Sequence, residues 1–178
     1  MFAFTRPERF VATAGLALGV LVVLALHVLE PGFDPRYRFV SEYALGRYGA
    51  LMIAVFFLVS ASGVALARAA HRAHRWLAAA GFAGWALGLA VCGLCVTDST
   101  LPDQMRTWTG IAHDLGADAA FLSVFVVMLT TARGRLFALP MMIAFVAAHA
   151  TGLIGLGQRV FVGFATAWIG TELAKARP

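Results

Sequence analysis

Charge is scarce in this sequence. Asp, Glu, Lys and Arg make up 13% of 178 residues, against 61% apolar residues. A soluble domain of this size has no core large enough to hide that much apolar surface, which excludes a soluble globular fold. Cysteine is nearly absent too. The two present, Cys92 and Cys95, lie inside one apolar run, so no extracellular disulfide framework is possible from them. They form a C-x-x-C pair, but a quinone-linked redox enzyme normally needs a second, shuttling pair, which this chain lacks. Cys92 and Cys95 therefore read as small helix-packing residues. There is no HExxH or comparably dense metal-ligand motif, no internal repeat and no low-complexity segment. The apolar runs also lack the strict alternation of barrel strands, so they must cross as helices, whose backbone groups are satisfied within the segment.

Six apolar runs are long enough for a hydrocarbon core of about 30 Å, which takes about 20 helical residues. They fall near 10–29, 43–67, 77–97, 110–132, 136–155 and 158–174. Arg6 and Arg9 before the first run resemble the start of a signal peptide. The run is too long for a signal core, however, and no small-x-small site precedes Glu30-Pro31, so it reads as an uncleaved first span. Gly134 is expected to separate the fourth and fifth spans, and Gly155 to Arg159 to make a tight hairpin between the fifth and sixth. Pro140 is expected in an early turn of span five. The expectation is an all-α, six-helix transmembrane bundle in which residues 1–178 form a single domain.

Basic residues set the orientation. With the N-terminus inside, the inner segments hold Arg6, Arg9, Arg68, Arg72, Arg75, Arg133, Arg135, Lys175 and Arg177, against Glu8 and Glu172. The outer side holds Arg36, Arg38, Arg47, Arg106 and Arg159, against Glu30, Asp34, Glu42, Asp98, Asp103, Asp114 and Asp118. Seven of the nine acidic residues thus fall on one side, and both termini are expected to be cytoplasmic in a cell inner membrane. The overall charge of +5 does not indicate nucleic acid, because the basic residues sit in turns between spans. His71 and His74 fall in an inner loop and read as solvated.

The outer third carries the unusual side chains. An ionisable group at membrane depth is costly, so it is a functional candidate by default. His27 ends span one; Ser41, Glu42, Tyr43 and Arg47 open span two; Asp98 closes span three. His113, Asp114 and Asp118 begin span four, His149 lies near the outer end of span five, and Gln158 and Arg159 open span six. Asp98, His113, Asp114 and Ser41 are the catalytic candidates. Carboxylate and imidazole suit zinc, whose bound water loses a proton near neutral pH, so Asp98, His113 and Asp114 are also candidate metal ligands. The bland reading pairs Asp114 and Asp118 with Arg47 or Arg159 and makes Ser41 a helix N-cap. Tyr43, Arg47, Gln158, Arg159 and His149 are candidate ligand-binding residues, with Arg159 suited to an anionic head group. His27, His113 and His149 are each packing residues or, together, a three-histidine set; a histidine pair between helices is also a haem arrangement.

Four motifs occur in order: Val40-Ser41-Glu42-Tyr43-Ala44-Leu45-Gly46, Val96-Thr97-Asp98, Ala112-His113-Asp114 and Gly155-Leu156-Gly157-Gln158-Arg159. Together they resemble the family called domain of unknown function 998, small bacterial and archaeal integral membrane proteins, over roughly residues 10–174. The resemblance implies a membrane topology and the positions Ser41, Tyr43, Gly46, Asp98, His113, Asp114, Gln158 and Arg159, but no reaction. Where the family more usually has phenylalanine-proline, this chain has Cys95-Val96. The Ser, Asp and His set is also loosely similar to the ceramidase-like hydrolases, which place histidines on zinc, although their His-x-x-x-His pair is missing here. Three functions follow as expectations. The first is a membrane enzyme, metal-assisted or acid–base, acting on a lipid or other amphiphile at the extracytoplasmic face. The second is a lipid or small-molecule binding or transport protein, although no span has the paired mid-depth breaks of a transporter site. The third is an accessory subunit of a membrane complex.

Overall fold

Helix starts follow local capping chemistry more closely than apolar periodicity. The computed structural model describes residues 2–101 and 105–175; Asp103 and Arg177 of the charge pattern lie outside them. Among the described residues the chain is all-helical. It has α1 (Arg6–Leu29), a short 3-10 helix (Val40–Leu45), α2 (Gly49–Arg72), α3 (Trp76–Leu94), α4 (Trp108–Leu129), α5 (Ala132–Ala150) and α6 (Ile154–Lys175). The first four α-helices are long and apolar enough to cross a membrane. Arg133 and Arg135 at the start of α5, and Arg159, Glu172 and Lys175 in α6, shorten the apolar stretches of the last two.

Several expected boundaries move, each for a physical reason. Thr5 and Glu8 form a capping box and Pro7 lies in the first turn, so α1 begins before its apolar run. The start expected at residue 43 is instead the 3-10 helix, which ends at Gly46; α2 opens only at Gly49. Thr131 caps α5 by accepting the Gly134 N–H at 2.8 Å, so Gly134 lies in the first turn of α5 rather than between helices. Pro140 is consequently interior to α5, where it lacks an N–H for the Leu136 carbonyl. The break between α5 and α6 is at Gly152, whose φ of 74° is a left-handed conformation that glycine adopts without strain. Gly155 to Arg159 are therefore the first turns of α6 and not a hairpin loop.

Helices α1 to α4 pack in series, while α5 and α6 form a hairpin whose second helix also touches α1 and α4. Lipid tails are as apolar as leucine, so close van der Waals contact between small residues must supply association. Gly88 of α3 faces Gly116 of α4, and a methyl on Gly88 would run into the Gly116 carbonyl. Aromatic rings fill the middle of the bundle: Phe82 stacks on Trp168 at 6.1 Å, and Phe121 meets Phe161 edge-on at 4.9 Å. A second apolar cluster, including Leu26, Tyr43, Met52, Phe56 and Cys92, lies against the 3-10 helix.

The Gly88–Gly116 contact is testable. Gly88→Ala should lower stability by about 1–3 kcal/mol through overpacking, read as a lower thermal midpoint in detergent. Gly163→Ala, where no atom lies within 4 Å, should instead raise stability by up to about 1 kcal/mol, because alanine is the better helix former.

Candidate functional site

The segment between α1 and α2 lies over the end of the bundle and is held there by two charges, one buried and one partly buried. The first is Glu42. It is fully buried, and its carboxylate accepts hydrogen bonds from Arg38 Nε at 2.7 Å, the Phe39 N–H at 2.8 Å, and the Thr100 N–H and hydroxyl at 3.0 and 2.8 Å. Arg38 donates onward to the Ser99 hydroxyl at 3.2 Å and lies over the Phe33 ring. A buried carboxylate is tolerable only when paired and fully hydrogen-bonded, and Glu42 meets both conditions. It thereby ties the α1–α2 segment to the α3–α4 segment.

The second charge is Arg159. Its guanidinium donates to His27 Nε2 at 2.9 Å and to the carbonyls of Arg38, Pro35 and Gly155 at 2.6, 2.9 and 3.0 Å. A longer bond of 3.3 Å reaches the Tyr43 hydroxyl. Arginine is only a donor, so His27 Nε2 must be the acceptor and Nδ1 must carry the proton. Nδ1 sits 2.7 Å from the Val23 carbonyl, which that proton satisfies. Gly155 has no Cβ, which lets α6 approach the Arg38 backbone closely. Beside it, the Gln158 side-chain oxygen accepts the Val40 N–H at 2.6 Å, and the Leu156 N–H donates to the Arg36 carbonyl at 3.1 Å.

Asp98 lies at the start of α4. It accepts the Thr107 N–H and hydroxyl, both at 2.7 Å, while Thr107 caps the helix by accepting the Gly110 N–H at 3.0 Å. These bonds, the backbone one foremost, hold the Asp98 carboxyl below its ordinary value of 3.8. Asp34 is held at about 2, chiefly by the side chain of Arg36.

The remaining candidates are dispersed. Asp114 pairs with Arg106, and not with Arg47 or Arg159 as the bland reading had it. Arg47 is exposed over the Tyr48 ring. Asp118 is exposed on α4. His113 is buried, with Nδ1 2.8 Å from the Cys95 carbonyl and its ring edge-on to Phe56. The exposed His149 turns Nδ1 back to the Phe145 carbonyl at 3.1 Å. Thus His27, His113 and His149 are each held on a different partner. Among the described residues no three His, Cys, Asp or Glu side chains group as a metal site requires, so Asp98, His113 and Asp114 are not brought together as ligands. Ser41 is buried but does not cap. Phe39 holds the cap position, and its N–H is taken by Glu42. Cys92 and Cys95 are free thiols, and Cys92 donates to the His113 carbonyl at 3.4 Å.

The ordered motifs and this fold can now be set beside known proteins. A family model described as a protein of unknown function (DUF998) matches residues 13–173, most of the chain. The chain belongs to the DUF998 family. No curated protein and no solved structure matches it.

In this DUF998 protein, sequence reasoning singled out Arg159, Tyr43, Gln158 and Asp98 but missed the centrality of Glu42 and the roles of Arg38, Glu30, Thr100 and Thr107. Glu30 accepts the Tyr48 N–H at 2.7 Å and packs against Gly46. One signal was present: Arg38 and Glu42 are four residues apart, as in an ion pair on one helical face. Thr100 gave none, because its partner is distant in sequence.

Two outcomes are expected. Glu42→Gln leaves the Arg38 charge buried without its anion, and should cost about 3–5 kcal/mol, read from thermal unfolding in detergent. Asp98 has a depressed folded pKa, so its contribution is fully present above the ordinary value of 3.8 and lost as pH falls through the lower folded value. Stability measured from pH 7 down to 3 should therefore fall less steeply at the acid end in Asp98→Asn than in the wild type.

Proposed function

We propose that this protein is a six-span subunit of a membrane assembly, with both termini cytoplasmic in a cell inner membrane and the Glu42–Arg159 end extracytoplasmic. In this reading α5 and α6 cross as a hairpin beside the four more apolar helices. The polar outer end is a structural clasp, and α4 carries the docking face. The enzyme and head-group-binding readings need open polar groups at the outer end, whereas Arg159 directs its donors into the clasp, Glu42 accepts within it, and Asp98 accepts from Thr107.

The observation that carries the proposal is the position of Asp118. Trp108 opens α4 and is 85% exposed, as befits an interfacial anchor. Asp118 is ten residues further along, about 15 Å deep at 1.5 Å per residue, near the middle of a core of about 30 Å. It is exposed together with Leu115, Ala119 and Leu122, one face of α4. An ionised carboxylate there costs about 3 kcal/mol against lipid. A basic or amide donor from another membrane helix removes that cost. Among the described residues no helix has a Lys or Arg at its middle, so the partner is a different protein carrying such a donor at mid-depth.

The test is affinity purification from native membranes in a mild detergent, followed by mass determination. Wild type should elute above the mass of the single chain with a second membrane protein. Asp118→Ala should elute alone, and Asp34→Asn, altered in the outer segment, should behave as wild type. Wild type and Asp118→Ala both running as the chain alone would refute the reading.

A further inference from the structure

A groove of about 600 Å³ runs between the end of α2 and the start of α3, at the end of the bundle where α1 begins. Its mouth is lined by Arg68 and His71 of α2 and by Trp76 of α3, and its floor by Ala79, Ala80 and Ala83. Ala80 and Ala83 are exposed on α3, Ala79 packs partly against the core, and together they make an apolar floor over about one helical turn. Trp76 is 58% exposed and is steadied edge-on by His71 at 4.7 Å and by His74 at 5.8 Å, a ring placed where tryptophan anchors the boundary between lipid and water.

The charges around the mouth are unequally used. Arg72 is committed: it pairs with Glu8 and donates to the Ala3 carbonyl at 3.0 and 3.1 Å. Arg68 is exposed and, among the described residues, has no carboxylate within salt-bridge distance. It stands one turn inside the end of α2, where a long basic side chain reaches outward to head-group level while its stem stays in hydrocarbon. An unmatched guanidinium above an apolar trough that opens to the membrane complements one occupant: a molecule with an anionic head and a hydrocarbon tail. A free anion leaves the alanine floor exposed, and a zwitterionic lipid brings its own cation to the mouth.

We propose that this groove is a binding site for an anionic phospholipid, with its phosphate on Arg68 and His71 and an acyl chain along Ala79, Ala80 and Ala83. The site rests only on the chain crossing a membrane. It is at the opposite end from the clasp and on different helices from Asp118, so the two proposals fail separately.

The experiment is native mass spectrometry of the full-length protein in a neutral detergent, titrated in parallel with phosphatidylglycerol and with phosphatidylcholine of the same acyl chains. The wild type should carry phosphatidylglycerol in preference. Arg68→Gln should cut that preference about five-fold, the effect expected for one basic residue at an anionic lipid surface. Ala80→Trp, which fills the floor and leaves every charge in place, should lower occupancy by both lipids. Arg133→Gln removes an exposed cation at the same end of the bundle and should bind as wild type. Equal binding of the two lipids by the wild type would overturn the proposal. So would a preference that survives both Arg68→Gln and Ala80→Trp, or one lost equally in Arg133→Gln.

Discussion

A guanidinium without a carboxylate organises the end of the bundle where the α1–α2 segment folds over α6. Arg159 stands in the second turn of α6, where its partly buried charge is met by whatever the fold brings near, because the group does not deprotonate. Three backbone carbonyls, an imidazole and a phenol meet it, and they come from α1, the α1–α2 segment, the 3-10 helix and α6 itself. Satisfying this one side chain therefore specifies the tautomer of His27, the burial of Tyr43 and the path of residues 35–38. The glycine at position 155 has the same origin, since the Arg38 backbone occupies the space a side chain would need.

Glu42 completes the clasp from the other side. Arg159 draws the α1–α2 segment onto α6, and Glu42 draws it onto the α3–α4 segment through Thr100. Four distant parts of the chain thus meet over the second apolar cluster. Because Glu42, Gln158 and Arg159 are paired within the clasp, the arrangement suits holding helices in register. Among the described charged groups that form no ion pair are Asp118 on the outward face of α4, and Arg68 above the groove between α2 and α3. The two differ in kind. A carboxylate exposed on an apolar helix face is costly against lipid, whereas a guanidinium one turn from a helix end is within reach of head groups.

The glycine contacts below the clasp have a different logic. Gly88 and Gly116 contribute no polar interaction and little apolar area. They let the α3 and α4 backbones come close enough for the surrounding side chains to interlock, which in lipid has to replace a water-driven association. The aromatic contacts of Phe82, Trp168, Phe121 and Phe161 then join the α5–α6 hairpin to the rest.

Apolar run length alone determined that the chain is helical and built for a membrane, because spanning a hydrocarbon core is a requirement of length and composition that α1 to α4 each meet by themselves. The same reading located the polar residues at one end and picked out Tyr43, Asp98, Gln158 and Arg159 for attention, since charge at membrane depth is costly wherever it occurs. Helix boundaries were less legible. Gly134 and Gly155 read as breaks, but glycine serves close approach as well as turning, and only the neighbouring backbone distinguishes the two uses. Pairing was not legible at all. That Arg159 meets His27 and carbonyls, that Asp114 meets Arg106, and that Glu42 meets Thr100 depends on which loops fold over which helix ends. Those contacts join residues far apart in the chain, and no local spacing encodes them.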